Sequence, residues 1–216
     1  FGQDGPYAHR AGYDYIIQGM SGLMSITGPV EGEPHRVGVA VTDLFTGIYG
    51  ATAILAALHE RHSTGRGAHL DLSLLDSAVS VMANQAMNYL ATGTAPGRTG
   101  NVHPNLVPYQ VFECADGHII IATGNDAQYK RLCGLLGLPE LVTHPHYLSN
   151  ADRVKNRAAL AETLSAATRR RARTDLLAAC EAQGVPAGPI NTMDEVFADP
   201  QVKARGMALD LGETKG

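Results

Sequence analysis

Between Thr42 and His62 the residues Leu44, Ile48, Tyr49, Ala51, Leu55 and Leu58 recur at helical spacing, and Gly65 stands just past them as a stop signal. The pattern predicts a helix over 42–62. It is Ala-rich and apolar on nearly every face, with Ala53, Ile54 and Ala56 filling the remaining positions. Such a helix is expected to be buried on most sides. This constrains everything else: other elements, from this chain or from a partner, must cover it, because an exposed surface of that kind drives pairing or aggregation.

The rest of the chain is read around that helix. Residues 1–36 are punctuated by Gly19, Gly22 and Gly28 and read as loops around one or two short helical turns. An apolar run, Val37-Gly38-Val39-Ala40-Val41, has the look of a strand entering the long helix. His69-Leu70-Asp71-Leu72-Ser73 alternates like a short strand, and a helix over 74–90 follows, with Ser73 and Asp76 at capping-box spacing. Residues 93–108 form a long Gly- and Pro-containing loop. Tyr109-Gln110-Val111-Phe112 and His118-Ile119-Ile120-Ile121 flank Asp116-Gly117, a hairpin signal. Helices are expected over 127–136, 157–171 and 175–183, with Asn125, Asn156 and Thr174 as N-caps. Gly184 ends the last of these, and Val185-Pro186-Ala187-Gly188-Pro189-Ile190 reads as a strand-like connection. Thr192-Met193-Asp194-Glu195 is a second capping box, opening a short helix to Ala198. Composition changes near Gly93, which divides the chain into a helical layer, 1–92, and a loop with a small α+β module, 93–216.

Composition narrows the function classes. Of 216 residues, 44% are hydrophobic and 18% charged, enough apolar material for a core; the net charge of -4 offers no footprint for nucleic acid or an anionic membrane. The basic run from Arg169 to Arg173 closes a predicted helix and suits the negative end of its dipole. No apolar run is expected to reach the roughly 18 residues that a membrane span needs. Three scattered cysteines, Cys114, Cys133 and Cys180, suggest no disulfide framework and favour a reducing, cytoplasmic setting. The chain opens at Phe1 in a Gly-rich loop and closes on Gly212-Glu213-Thr214-Lys215-Gly216, so both ends are expected to continue.

Asp43 is the leading candidate for chemistry. It lies in the first turn of the long helix, where the positive dipole end and unpaired N–H groups keep a carboxylate ionised. An ionised carboxylate can act as a covalent nucleophile, and nearby N–H groups could stabilise an oxyanion. The ordinary role of such a residue, stabilising the helix by about 0.3–1 kcal/mol, is the commoner one. Asp76 and Asp194 occupy similar positions, and capping accounts for both. His144-Pro145-His146 reads as a turn, since no HExxH or Cys/His spacing supports a metal. Gly65-Arg66-Gly67 and Gly97-Arg98-Thr99-Gly100 match no phosphate loop and read as turns. His103 sits in the long loop, where 97–108 suggests a lid over a substrate with Asn101 and His103 nearest to it, against the alternative of a plain surface connection.

The ordered set of short motifs resembles class III CoA-transferases, the CaiB/BaiF family. It comprises Phe1-Gly2-Gln3-Asp4-Gly5-Pro6-Tyr7, Arg10-Ala11-Gly12-Tyr13-Asp14, Gly22-Leu23-Met24-Ser25-Ile26-Thr27-Gly28, the segment around Asp43, Thr64-Gly65-Arg66-Gly67, Asp71-Leu72-Ser73-Leu74-Leu75-Asp76, His103-Pro104-Asn105 and Gly184-Val185-Pro186-Ala187-Gly188-Pro189. The resemblance implies an α/β fold. This would be an incomplete Rossmann-type large domain plus a small α+β domain, with an interlocked homodimer in the full-length protein. It implies that Asp43 attacks an acyl-CoA thioester and then carries CoA as an aspartyl thioester. Gln3, Tyr13, Leu74, Asn101 and His103 would contact CoA or the acids. The substrates would be an acyl-CoA and a carboxylic acid, with no permanent cofactor or metal. The family's α-methylacyl-CoA racemases use a histidine where this chain has Tyr13, and a tyrosine is poorly matched to proton abstraction at neutral pH. A catalytically incomplete assembly module is the remaining alternative.

Overall fold

The computed structural model describes residues 1–210 and 212. The chain forms two compact units, Phe1–Asn101 and Val102–Gly216. The first holds five helices: α1 Asp14–Met20, α2 Leu23–Ile26, α3 Val41–Thr64, α4 Leu74–Ser80 and α5 Ala83–Thr92. Residues 93–101 belong to it. Arg98 donates to the carbonyls of Pro29, Val30 and Gly32 at 2.8, 3.3 and 2.8 Å, and the Gly100 N–H donates to Gly28 O at 3.1 Å. Gly28 has φ +115°, and a Cβ there would come within 3.0 Å of the His35 ring, so this close return of the chain requires glycine.

Several expectations for this unit are corrected. The runs 37–41 and 69–73 are not strands: the first is a loop that becomes helical at Val41, and the second is extended chain. The first unit holds no strand among the described residues to pair with either. The expected helix over 74–90 is two helices, interrupted at Val81 and Met82, where Ala83 takes φ +45°. Ser73 does cap α4, accepting the Asp76 N–H at 3.0 Å. The long helix α3 ends at Gly65, whose φ of +69° permits the left-handed cap.

The burial expected of α3 is also corrected. Leu44, Ile48, Leu55 and Leu58 are 59, 62, 68 and 51% exposed, and Thr42 alone is buried. Among the described elements, α1 and α4 are the ones that pack against it to any extent. Its 24 residues contain an 18-residue window of mean hydropathy 1.5. By length and composition it could cross a membrane, contrary to the expectation that no run reaches that size.

The second unit has its own core. Strands β1 Tyr109–Cys114, β2 Gly117–Ala122 and β3 Ala187–Pro189 form an antiparallel sheet in the order β1-β2-β3. The hairpin pairs Cys114 with Gly117, so the turn is Ala115-Asp116, one residue earlier than expected. One face of the sheet supplies Phe112, Cys114, Ile119 and Ile121 to a buried cluster. The cluster is completed by Tyr129, Leu132 and Cys133 from α6 Asp126–Leu135, Leu160 and Leu164 from α8 Arg157–Thr168, and Leu176 and Cys180 from α9 Arg173–Ala182. Asn125 caps α6 through the Gln128 N–H. Asn156 makes no cap bond: its amide donates to His146 O and Asp152 O instead. Thr174 lies inside α9, whose N-cap is Ala172. A helix that was not expected, α7 Asn150–Lys155, opens on a Ser149–Asp152 capping box. Helix α10 Met193–Ala198 has the expected Thr192–Glu195 box, and α11 Pro200–Ala204 follows.

Candidate functional site

Asp43 is the third residue of α3 and is exposed. Among the described residues none hydrogen-bonds or ion-pairs with its carboxylate. The geometry that aims it begins one residue earlier. The N-cap of α3 is Ala40, which has no side chain able to satisfy the first-turn N–H groups. Asp14, the first residue of α1, supplies the acceptor from another helix. Its Oδ1 receives the Thr42 N–H at 3.0 Å and the Thr42 hydroxyl at 2.9 Å. Partial burial alone would raise the Asp14 carboxyl; hydrogen bonds from the Thr42 backbone, the Gln18 amide and the Thr42 hydroxyl, with Arg36 nearby, outweigh it and hold the group below its usual value. The Thr42 N–H is therefore already engaged. The sequence-based idea that the first-turn donors wait for an oxyanion is corrected at that position.

Gln18 carries the support further. It is fully buried on α1. Its Nε2 donates to Asp14 Oδ2 at 2.8 Å and to Val39 O at 3.3 Å, and its Oε1 accepts the Val37 N–H at 2.9 Å. The chain leading into α3 is thus tied at two backbone points before Thr42 is caught by Asp14. Tyr13, next to Asp14, is the N-cap of α1 and is 71% exposed. Tyr13-Asp14 and Thr42-Asp43 are brought together through the Asp14–Thr42 bonds.

Gln3 and Leu74 are both placed by the segment 71–74. The Gln3 N–H donates to Asp71 Oδ2 at 3.1 Å, and Gly2 lies against Asp71 and Ser73. Leu74 is the first residue of α4, half-buried. A cleft of about 440 Å³ runs between α3 and this segment, lined by Tyr49, Ala53, Asp71, Ser73, Asp76 and Ser77 among others. Asn101 lines a separate cavity of about 540 Å³ with Gly28 and His35, so no described contact joins it to Asp43. His103 belongs to the second unit. Its Nδ1 accepts the N–H groups of Asn105 and Leu106 at 3.1 and 3.2 Å, while Arg157 holds the carbonyls of His103 and Pro104 at 3.1 and 2.7 Å. Both halves of the expected lid are therefore anchored, 98–101 to the first unit and 103–107 to the second.

Asp14, Gln18 and Thr42 are functional candidates that sequence reasoning passed over. Asp14 stood in a quoted motif, but nothing local shows that a helix-start aspartate caps a helix 28 residues away. No group of three or more His, Cys, Asp or Glu among the described residues is placed to hold a metal ion. Burial pushes the thiols of Cys114, Cys133 and Cys180 up, which suits packing rather than nucleophilic attack.

Comparison with known proteins shows what the chain is similar to. The pattern of the family described as CoA-transferase family III matches residues 1–216. Succinate–glutarate CoA-transferase of Agrobacterium fabrum is 52% identical over 216 residues, which is all of this chain and 54% of that protein. Succinyl-CoA:glutarate CoA-transferase of Homo sapiens is 43% identical over 211 residues, 98% of this chain and 48% of the relative. A crystal structure of a CaiB/BaiF family protein from Brucella suis superimposes with a TM-score of 0.85 at 54% identity, covering 97% of this chain and 56% of that one. The chain spans about half the length of the relatives it matches. Agreement of sequence over the full chain and of fold over nearly all of it leaves one conclusion: this chain belongs to CoA-transferase family III.

Proposed function

We propose that the protein carrying this chain transfers coenzyme A from an acyl-CoA to a carboxylic acid through Asp43. The observation that carries the reading is the 52% identity over all 216 residues to a protein named for succinate–glutarate CoA transfer. The site supports it chemically, because Asp43 is an exposed carboxylate on a helix start whose backbone is held by Asp14 and Gln18. A carboxylate oxygen of Asp43 adds to the thioester carbonyl, the C–S bond breaks, and CoA leaves as a thiolate, giving a mixed anhydride. The thiolate then attacks the aspartyl carbonyl, which releases the donor acid and leaves an aspartyl-CoA thioester. The acceptor carboxylate reverses both steps. We further propose short dicarboxylic acids such as succinate and glutarate as the acid pair, on the names of the relatives at 52 and 43% identity. No permanent cofactor is required. A homodimer is proposed because the exposed face of α3 needs cover.

The test is Asp43→Asn in the intact protein, with mass spectrometry of the protein after incubation with succinyl-CoA. Wild type should gain CoA attached at Asp43 and transfer it to glutarate. The variant should bind CoA yet lose transfer by about 10³-fold or more, since the attacking oxyanion is gone. Retention of most of the turnover by Asp43→Asn would sink the assignment. Exchange of the α-proton without attachment of CoA would favour racemase-type chemistry instead.

A further inference from the structure

We propose that Gln18 is a positioning residue for Asp43, acting through the backbone that enters α3. This rests on Asp43 being the nucleophile. Gln18 is fully buried, yet the hydrogen bonds of its amide all serve the two segments that flank the site. Its oxygen fixes Val37 and its nitrogen bridges Val39 O to Asp14, whose other oxygen holds Thr42. Val39 and Thr42 are one to four residues from Asp43, and Val41 N–H donates to Val39 O at 2.8 Å, so the entry is a continuous chain of bonded groups. Gly38 lies between the two tethered residues and, with no Cβ, has little of its own to fix its conformation. Without Gln18 the segment 37–40 loses both of its side-chain tethers to α1 and keeps only the exposed bond from the adjacent Arg36 to Val37 O at 3.1 Å, and Ala40 offers no cap to replace them. A nucleophile must be held close to its line of attack, and a displacement of about 1 Å can cost about 10²-fold in rate. Gln18 itself, being fully buried, presents no surface to a substrate, so its loss should change binding little.

The experiment uses three variants of the intact protein. Gln18→Met keeps length and apolar bulk but removes every hydrogen bond. Gln18→Glu sets a second carboxylate against Asp14. The double variant, Asp14→Asn with Gln18→Glu, reverses the polarity of that contact. The amide introduced at position 14 would donate to the carboxylate introduced at position 18, which would still accept the Val37 N–H but could not donate to Val39 O, so the recovery expected is partial. The oxygen of the new amide would still accept from Thr42. We expect Gln18→Met to lower kcat by about tenfold or more with KM for succinyl-CoA within about twofold and a cooperative melting transition retained. Gln18→Glu should lose more, and the double variant should recover at least about tenfold of that loss. A kcat for Gln18→Met within about twofold of wild type overturns the proposal. So does a double variant that restores nothing, whether or not Gln18→Met folds. The two readings fail separately. If Asp43→Asn abolishes transfer while Gln18→Met is fully active, only the positioning role is lost; if Asp43→Asn stays active, the underlying mechanism is wrong whatever Gln18 does.

Discussion

Arg153 offers the sharpest test of how the second unit is held together. Its side chain is 2% exposed, and its Nε and Nη1 donate to Val107 O and Tyr147 O at 2.8 and 3.1 Å. Its guanidinium lies 4.3 Å from the centre of the Tyr129 ring, and Nη2 meets Asp126 Oδ1 at 2.6 Å. Replacement by methionine fills most of the space and removes every donor. Each buried carbonyl left without a partner costs about 1–3 kcal/mol. Loss of the ring contact adds about 1–2 kcal/mol in a desolvated site. The Asp126 pair adds no more than about 1 kcal/mol, because that carboxylate is 59% exposed and solvent screens it. Apolar burial of the methionine returns about 1.5–3 kcal/mol. Mid-range values leave a net loss of about 4 kcal/mol. Hydrogen exchange read by mass spectrometry on β1, β2 and α6 of the intact protein would report it as lost protection in this unit. Asp126→Asn should cost less than about 1 kcal/mol on the same scale. A loss below about 1 kcal/mol for Arg153→Met, or equal losses for the two variants, would refute the claim that the carbonyl bonds rather than the ion pair matter.

Acid sensitivity follows from Asp14. Its folded pKa lies below the ordinary 3.8, so the stability it contributes is complete above that value and is lost as pH falls through the lower folded value. Asp14→Asn should flatten that part of the stability–pH curve, measured by thermal melting below about pH 4; an unchanged slope would rule the linkage out. The lid expected from the sequence of 97–108, although both its halves are anchored, predicts that His103→Ala and Asn101→Ala each change the kinetics for both acids, His103→Ala by freeing the Asn105 and Leu106 N–H groups. Unchanged steady-state constants for both variants would end that idea.

What was legible in the sequence was mostly local. Asn125 and Ser73 were readable as caps because a short polar side chain and the N–H it accepts lie three residues apart. The hairpin was readable from Asp116-Gly117 between two strand-like runs, but three isoleucines in a row at 119–121 gave no sign that Ile119 and Ile121 enter the core while Ile120 stays 37% exposed. The Ser149–Asp152 box has the same three-residue spacing, but the turn signals of His144-Pro145-His146 beside it obscure a helix start. The break at Val81 and Met82 was not readable: neither is Gly or Pro, and the left-handed residue that follows is an alanine. The supposed strand 69–73 had the right alternation but no neighbour to pair with among the described residues of its unit. Asp43 could be nominated from its place at a helix start, yet its support could not. The Asp14–Thr42 and Gln18–Val37 bonds span 28 and 19 residues, and no periodicity connects such positions.

Among the described residues, several loops and element ends are fastened by arginines that donate to main-chain carbonyls. Arg98 serves three carbonyls, Arg153 and Arg157 two each, and Arg131 and Arg171 reach Gly184 O and Leu135 O. A carbonyl is a dipole, not a net charge, so dissolved ions screen these contacts far less than they screen a pair such as Arg169 with Glu162. Such bonds also depend on the planar fork of the guanidinium, which spans neighbouring carbonyls that a lysine ammonium would meet from a single point. The connections therefore keep their shape across ionic strengths at which exposed ion pairs contribute nothing, and the side chain they can least exchange is arginine.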